Sequence, residues 1–251
     1  MPSPLTYPWS IHGFIKSYYP PGYYDDHQKT YSSTGFISRG TGTLIGEDTL
    51  ITAAHCLYQR TEKGYVPASK VLFIPDIKSQ MTKEDIPTKI FSAPAVGFYG
   101  HPAYLDNDDN YDFGIVKLGH SIGYDLGWAS LSVLKTKELE QLRVNVTGYP
   151  ASKGFFNYLR NRQVYDMYTM AGPITSVKKN KFYYQIDTSG GQSGAGVWAL
   201  NEADEVECFG VHVTGSENEG NGATRITPEI FQLVQEWREL FPKKSDPFQK
   251  K

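Results

Sequence analysis

Cysteine is scarce in this chain. Cys56 and Cys208 are the only two in 251 residues. They lie far apart and do not make a disulfide framework. No Cys/His cluster has the spacing of a zinc site, so no metal and no cofactor is expected. Long apolar runs are also missing: none approaches the ~20 residues that span a bilayer. Neither sign of charge dominates. Lys and Arg number 25 against 27 Asp and Glu, a net charge of −2, which gives no electrostatic case for nucleic acid. The start, Met1 to Trp9, has neither the basic residues nor the apolar stretch of a signal peptide. That leaves three expectations open: the protein stays inside, leaves by another route, or has lost a presequence. Internal repeats and low-complexity linkers are absent as well.

What the chain does have is glycine (24), proline (15) and an aromatic content of 14%, with 18 tyrosines. This favours many short strands and turns over long helices. The length suits one large all-β domain or two small ones packed together. Residues 1–30, rich in Tyr and Pro, are expected to form an extended arm. Strand-like segments follow, each bounded by turn formers. They are Gly35–Ser38, Gly42–Ile45, Thr49–Thr52, Lys70–Ile74, Phe113–Leu118, Arg143–Thr147, Phe182–Ile186, Gly196–Leu200 and Glu207–His212. One helix closes the fold. Thr227 caps it, Pro228 suits its first turn, and Ile230, Phe231, Leu233, Val234, Trp237 and Leu240 make an apolar face. The tail 242–251 is polar and expected to fray. The acidic loop Asp106–Asn110 lacks the glycine and distal glutamate of a calcium loop and reads as a solvated turn.

Three local patterns carry chemistry. Gly191-Gln192-Ser193-Gly194 puts a serine on a tight turn whose backbone N–H groups can converge on one point. Thr52-Ala53-Ala54-His55-Cys56 follows a strand, and its small residues let an imidazole project from closely packed backbone. Asn110-Tyr111-Asp112-Phe113-Gly114 sets an acid just before an apolar strand. Each alone is an ordinary turn or strand end. Together they supply what a serine nucleophile needs: a base to take its proton and an acceptor to orient that base.

In this order, these motifs resemble the active-site motifs of the trypsin-like serine proteases, over residues 34–240 or so. The resemblance implies an all-β fold of two six-stranded antiparallel β-barrels with a C-terminal α-helix. The first barrel would span 31–125 and carry His55 and Asp112. The second, with the helix, would span 126–241 and carry Ser193. It implies Ser193 as nucleophile, His55 as base then acid, Asp112 as orienting acid, and the N–H groups of Gly191 and Ser193 as the oxyanion hole. Two departures are visible. Digestive members carry an aspartate after the oxyanion glycine, where this chain has Gln192, so their activating ion pair is not expected. Cys56 lacks the family's usual disulfide partner, since the matching segment reads Ser38-Arg39-Gly40-Thr41-Gly42; both cysteines are therefore expected as free thiols.

Within the family, Val144–Pro150, Gly210–His212, Asn221–Ile226 and Asp187–Gly194 resemble the bacterial glutamyl endopeptidases. That resemblance implies an endopeptidase cutting after Glu or Asp, with Thr188 and His212 as the substrate-binding pair. A histidine with a hydroxyl can receive a carboxylate without leaving an unpaired buried charge in the empty pocket. Asp187 falls where members that cut after Lys or Arg carry their pocket aspartate, so a basic preference stays open. The expected partner is a protein or peptide substrate, met by a secreted or exported monomer. The alternative is a protease-fold toxin or binding protein with restricted or no general proteolysis. The loops Tyr58–Ser69 and Ile77–Pro87, which flank the motifs, would limit access in that case.

Overall fold

The structure is a computed structural model that describes residues 6–25, 30–32, 35–61, 64–75, 93–150, 166–216 and 219–241. The loop Ile77–Pro87 and the tail 242–251 lie outside the described residues. Six strands close the first barrel, in the order β1 (His12–Tyr19), β4 (Phe36–Leu44), β5 (Thr49–Thr52), β10 (Gly114–Leu118), β9 (Ala93–Gly100) and β8 (Lys70–Pro75). Two hairpins stand outside it: β2 (Tyr23–Asp25) with β3 (Thr30–Ser32), and β6 (Tyr58–Thr61) with β7 (Gly64–Pro67).

The second barrel uses β12 (Arg143–Gly148), β13 (Tyr168–Val177), β14 (Lys181–Tyr184), β17 (Gly220–Arg225), β16 (Val206–Ser216) and β15 (Gly196–Leu200). Each pairs antiparallel with the next, and β15 returns to β12, so the ring closes. The short β11 (Ser130–Leu131) adds a parallel edge on β16. The all-β, two-barrel class expected from the motifs is the one observed.

The N-terminal arm is corrected. His12–Tyr19 is a barrel strand, paired on one side with β4 and on the other with β8. Its start is sealed by tertiary contact: Phe14 and Ile15 are buried, and a Cβ at Gly13 would lie 2.3 Å from the Phe73 ring. Tyrosine and proline around it mask eight residues whose faces are nearly all covered. The two segments Gly35–Ser38 and Gly42–Ile45 are one strand, because Gly40 and Gly42 sit under Cys56 and Ile15 rather than in a turn.

The C-terminal helix, Pro228–Leu240, starts as expected. The Thr227 hydroxyl accepts from the Ile230 amide at 3.2 Å, which satisfies one orphan donor of the first turn. Ile230, Val234 and Trp237 are buried, while Leu240 is 63% exposed and leaves the apolar face. The helix crosses from the second barrel to the first. Trp237 stacks on Phe113 with centroids 5.6 Å apart, and Phe241 packs on Tyr99. Ile45, Ile51 and Ile115 of the first barrel share that core with Val211 and Ile226 of the second. The barrels also meet where Leu44 and Leu50 pack with Trp198 and Cys208, and where Phe14 and Ile74 pack with Tyr149 and Met167.

Candidate active site

His55 lies on a single 3-10 turn, Ala54–Cys56, directly after β5. Ala53 and Ala54 are fully buried, so the turn presses against the barrel and only the imidazole projects, 32% exposed. Asp112 ends the turn before β10. Buried Phe113 anchors it to the helix, and the Thr224 hydroxyl donates to the Asp112 carbonyl at 3.1 Å. The carboxylate grips the histidine twice. Oδ2 lies 2.6 Å from His55 Nδ1, and Oδ1 accepts from the His55 backbone N–H at 3.0 Å. Burial works against protonation of this imidazole. The Asp112 carboxylate and the Cys56 thiol overcome it and hold His55 well above the ordinary histidine value.

The serine loop joins β14 to β15. Gly191 and Gly194 both have positive φ, 98° and 87°, which an L side chain rarely adopts. Thr41 of β4 ties the loop to the first barrel. Its amide donates to the Ser193 carbonyl at 2.8 Å and its hydroxyl to the Gly191 carbonyl at 2.9 Å. The Cys56 thiol reaches the same Ser193 carbonyl at 3.5 Å, so the histidine turn and the serine loop are in contact. Gln192 is buried. Its side-chain oxygen accepts from the Ser189 amide at 2.9 Å, so it braces the loop where digestive relatives use an ion pair.

The loop's backbone donors divide in two. The amides of Gln192, Gly194 and Ala195 donate within the fold, to Ser189, His212 and Gln192 carbonyls. Those of Gly191 and Ser193, the pair expected to hold an oxyanion, are not among these donors. Gly194 itself is wedged tightly: a Cβ there would lie 2.1 Å from the Thr52 hydroxyl and 2.3 Å from the Thr41 carbonyl. Gly194→Ala should therefore destabilise the fold by roughly 3 kcal/mol or more, combining left-handed strain with overpacking. Urea unfolding would measure this, and a loss below about 1 kcal/mol would show that the loop relaxes.

His212 of β16 is 4% exposed. Its carbonyl receives the Gly194 amide at 2.7 Å and its amide donates to Ala195, so the strand runs alongside the serine loop. Its ring meets the Tyr184 hydroxyl, with Nδ1 to Oη 2.7 Å. Burial, then the neighbouring charge of His55, lower it to about 4. Thr188 is half-buried on the loop and Asp187 is exposed. Neither Thr41 nor Tyr184 stands out in sequence: each acts through a partner far along the chain. Gln192 was visible only as a departure from an expected aspartate.

A cavity of about 460 Å³ opens beside His55, walled by Tyr58, Tyr65, Tyr104, Arg60, Asp109 and Lys181. Asp108 of the acidic loop caps its own turn, accepting from the Asn110 amide at 3.0 Å. No group of three or more acidic, His or Cys side chains among the described residues is placed to hold a metal.

Two antiparallel barrels, with a His–Asp pair on one and a glycine-flanked serine on the other, are the scaffold of a trypsin-like peptidase. The chain belongs to the trypsin-like peptidase domain family, whose family model matches residues 40–206. Among curated proteins it is 28% identical over 215 residues to the "Extracellular metalloprotease" of Bacillus subtilis, covering 85% of this chain and 60% of that one. It is 26% identical over 254 residues to the "Glutamyl endopeptidase" of Bacillus licheniformis, covering 94% of this chain and 72% of that one. The chain thus spans 60% of the first of these relatives and 72% of the second. A solved Glu endopeptidase in complex with MPD superposes with a TM-score of 0.71 at 23% identity over 95% of both chains.

Proposed function

We propose that the chain is a serine endopeptidase that cuts after Glu, or Asp, through an acyl-enzyme. The observation that carries the reading is the doubly held His55–Asp112 pair in contact with the Ser193 loop. In this mechanism the Ser193 hydroxyl gives its proton to His55 Nε2 as its oxygen attacks the scissile carbonyl. Asp112 accepts from Nδ1 and stabilises the imidazolium. The Gly191 and Ser193 amides receive the developing oxyanion. His55 then protonates the leaving amine, and water reverses the sequence to release the acid.

The acidic preference rests on His212 and Thr188 beside the serine loop, and on relatives that bear the name glutamyl endopeptidase. Exposed Asp187 weighs against a basic pocket. Export fits a relative named as extracellular, and no helix among the described residues is long and apolar enough to cross a membrane. A peptide library tests the preference directly. Cleavage should follow Glu, and His212→Leu should lower kcat/KM for Glu peptides about 100-fold relative to Ala peptides, because the pocket loses a donor to a buried carboxylate. Cuts after Lys or Leu in the unaltered protein would remove the assignment of His212 and Thr188. No fluorophosphonate labelling of Ser193 would instead favour the restricted, toxin-like alternative.

A further inference from the structure

Among the described residues Tyr184 is one of the largest side chains with no solvent exposure, and its hydroxyl ends on a single partner there, the His212 ring. The two residues come from β14 and β16, with β17 running between them, so both project into the second barrel. A tyrosine hydroxyl can donate or accept, whereas a neutral imidazole has one N–H and one bare nitrogen. The direction of the 2.7 Å bond therefore fixes the tautomer. Burial decides it. The Tyr184 O–H meets no other acceptor among the described residues, and a buried donor left unpaired is costly, so it donates to Nδ1, which is then the bare nitrogen.

We infer that Tyr184 is a positioning residue for substrate selection: its O–H donates to His212 Nδ1 and holds the imidazole proton on Nε2, where it can be offered to a carboxylate. This rests on the glutamyl reading of the pocket. The ring is neutral at pH 7, consistent with its depressed value, so the site presents a neutral N–H rather than a buried unpaired cation. A Phe at 184 keeps the ring packing but removes the proton that sets the tautomer. The His212 proton is then free to move to Nδ1, which presents a bare nitrogen to the substrate carboxylate and a matching acceptor to a glutamine amide.

The test compares matched Glu and Gln peptides in the unaltered protein and in Tyr184→Phe. The ratio of kcat/KM for Glu over Gln should fall about tenfold, the effect of one well-placed hydrogen bond. A merely structural defect lowers both substrates alike and leaves the ratio unchanged, and that result overturns the proposal. Absence of any Glu preference in the unaltered protein is a different outcome: it removes the glutamyl reading itself. The second measurement needs no variant. Nitrogen-15 NMR of histidine-labelled protein should show His212 with its proton on Nε2, and a proton on Nδ1 would overturn the inference whether or not Tyr184→Phe folds.

Discussion

Ser193→Ala is expected to lower kcat for peptide hydrolysis about 10⁶-fold and to abolish fluorophosphonate labelling while leaving the fold intact. The rate falls because no other group in the described loop replaces the nucleophile, and the three members of such a site act as a unit. A residue of activity remains, about 10³- to 10⁴-fold above water, because backbone donors and substrate binding survive. The fold holds because the loop is fastened by backbone, not by the hydroxyl. The Thr41 amide and the Cys56 thiol both end on the Ser193 carbonyl, and Gly194 and Ala195 amides are satisfied within the fold. Alanine keeps every one of those contacts. Unfolding free energy should therefore shift by less than about 0.5 kcal/mol. Activity within tenfold of the unaltered protein would place the nucleophile elsewhere. A large loss of stability would mean that the serine hydroxyl braces the loop after all.

The three motifs were legible in sequence because each is a local solution to a local problem. A serine loop needs left-handed backbone, and Gly191 and Gly194 announce it. The turn of His55 must press on the barrel, and alanines announce that. What holds the motifs together was not legible. Thr41 meets Gly191 across 150 residues of chain, and Tyr184 meets His212 across 28. No spacing or composition signals such pairs. The same limit explains the fold. Strands rich in branched and aromatic residues, such as Gly196–Leu200, keep their sequence boundaries. The glycine-rich β17 has little strand propensity of its own. It is a strand because β14 and β16 pair with it on both sides, and only its likeness to a family segment marked it beforehand. The strand His12–Tyr19 was lost for the opposite reason. Its neighbours in sequence look like loop, while its neighbours in space are β4 and β8.

Asp112→Asn should cost about 10⁴-fold in kcat near pH 7 and should also move the pH profile. Two carboxylate oxygens contact one histidine, at 2.6 Å on Nδ1 and 3.0 Å on the backbone amide. Asparagine keeps the size but loses the charge, and can present an N–H toward Nδ1. The imidazole then carries its proton on the wrong nitrogen and cannot accept from Ser193. The sign of the pH change follows from what opposes what. Burial lowers His55, and the carboxylate, with the Cys56 thiol, raises it well above its ordinary value. The active form is the unprotonated base, so the acid limb of kcat/KM should lie above about 6.5 in the unaltered protein. Removing the charge leaves burial dominant, and the limb of the residual activity should move down. Stability shifts in step. A raised histidine contributes its full stabilisation below about 6.5 and loses it as pH rises through the elevated value, so the cost of Asp112→Asn should be larger at pH 6 than at pH 9. A pH–rate profile with urea unfolding at both values checks both halves. An unmoved limb in the variant would mean that Asp112 orients His55 without setting its charge.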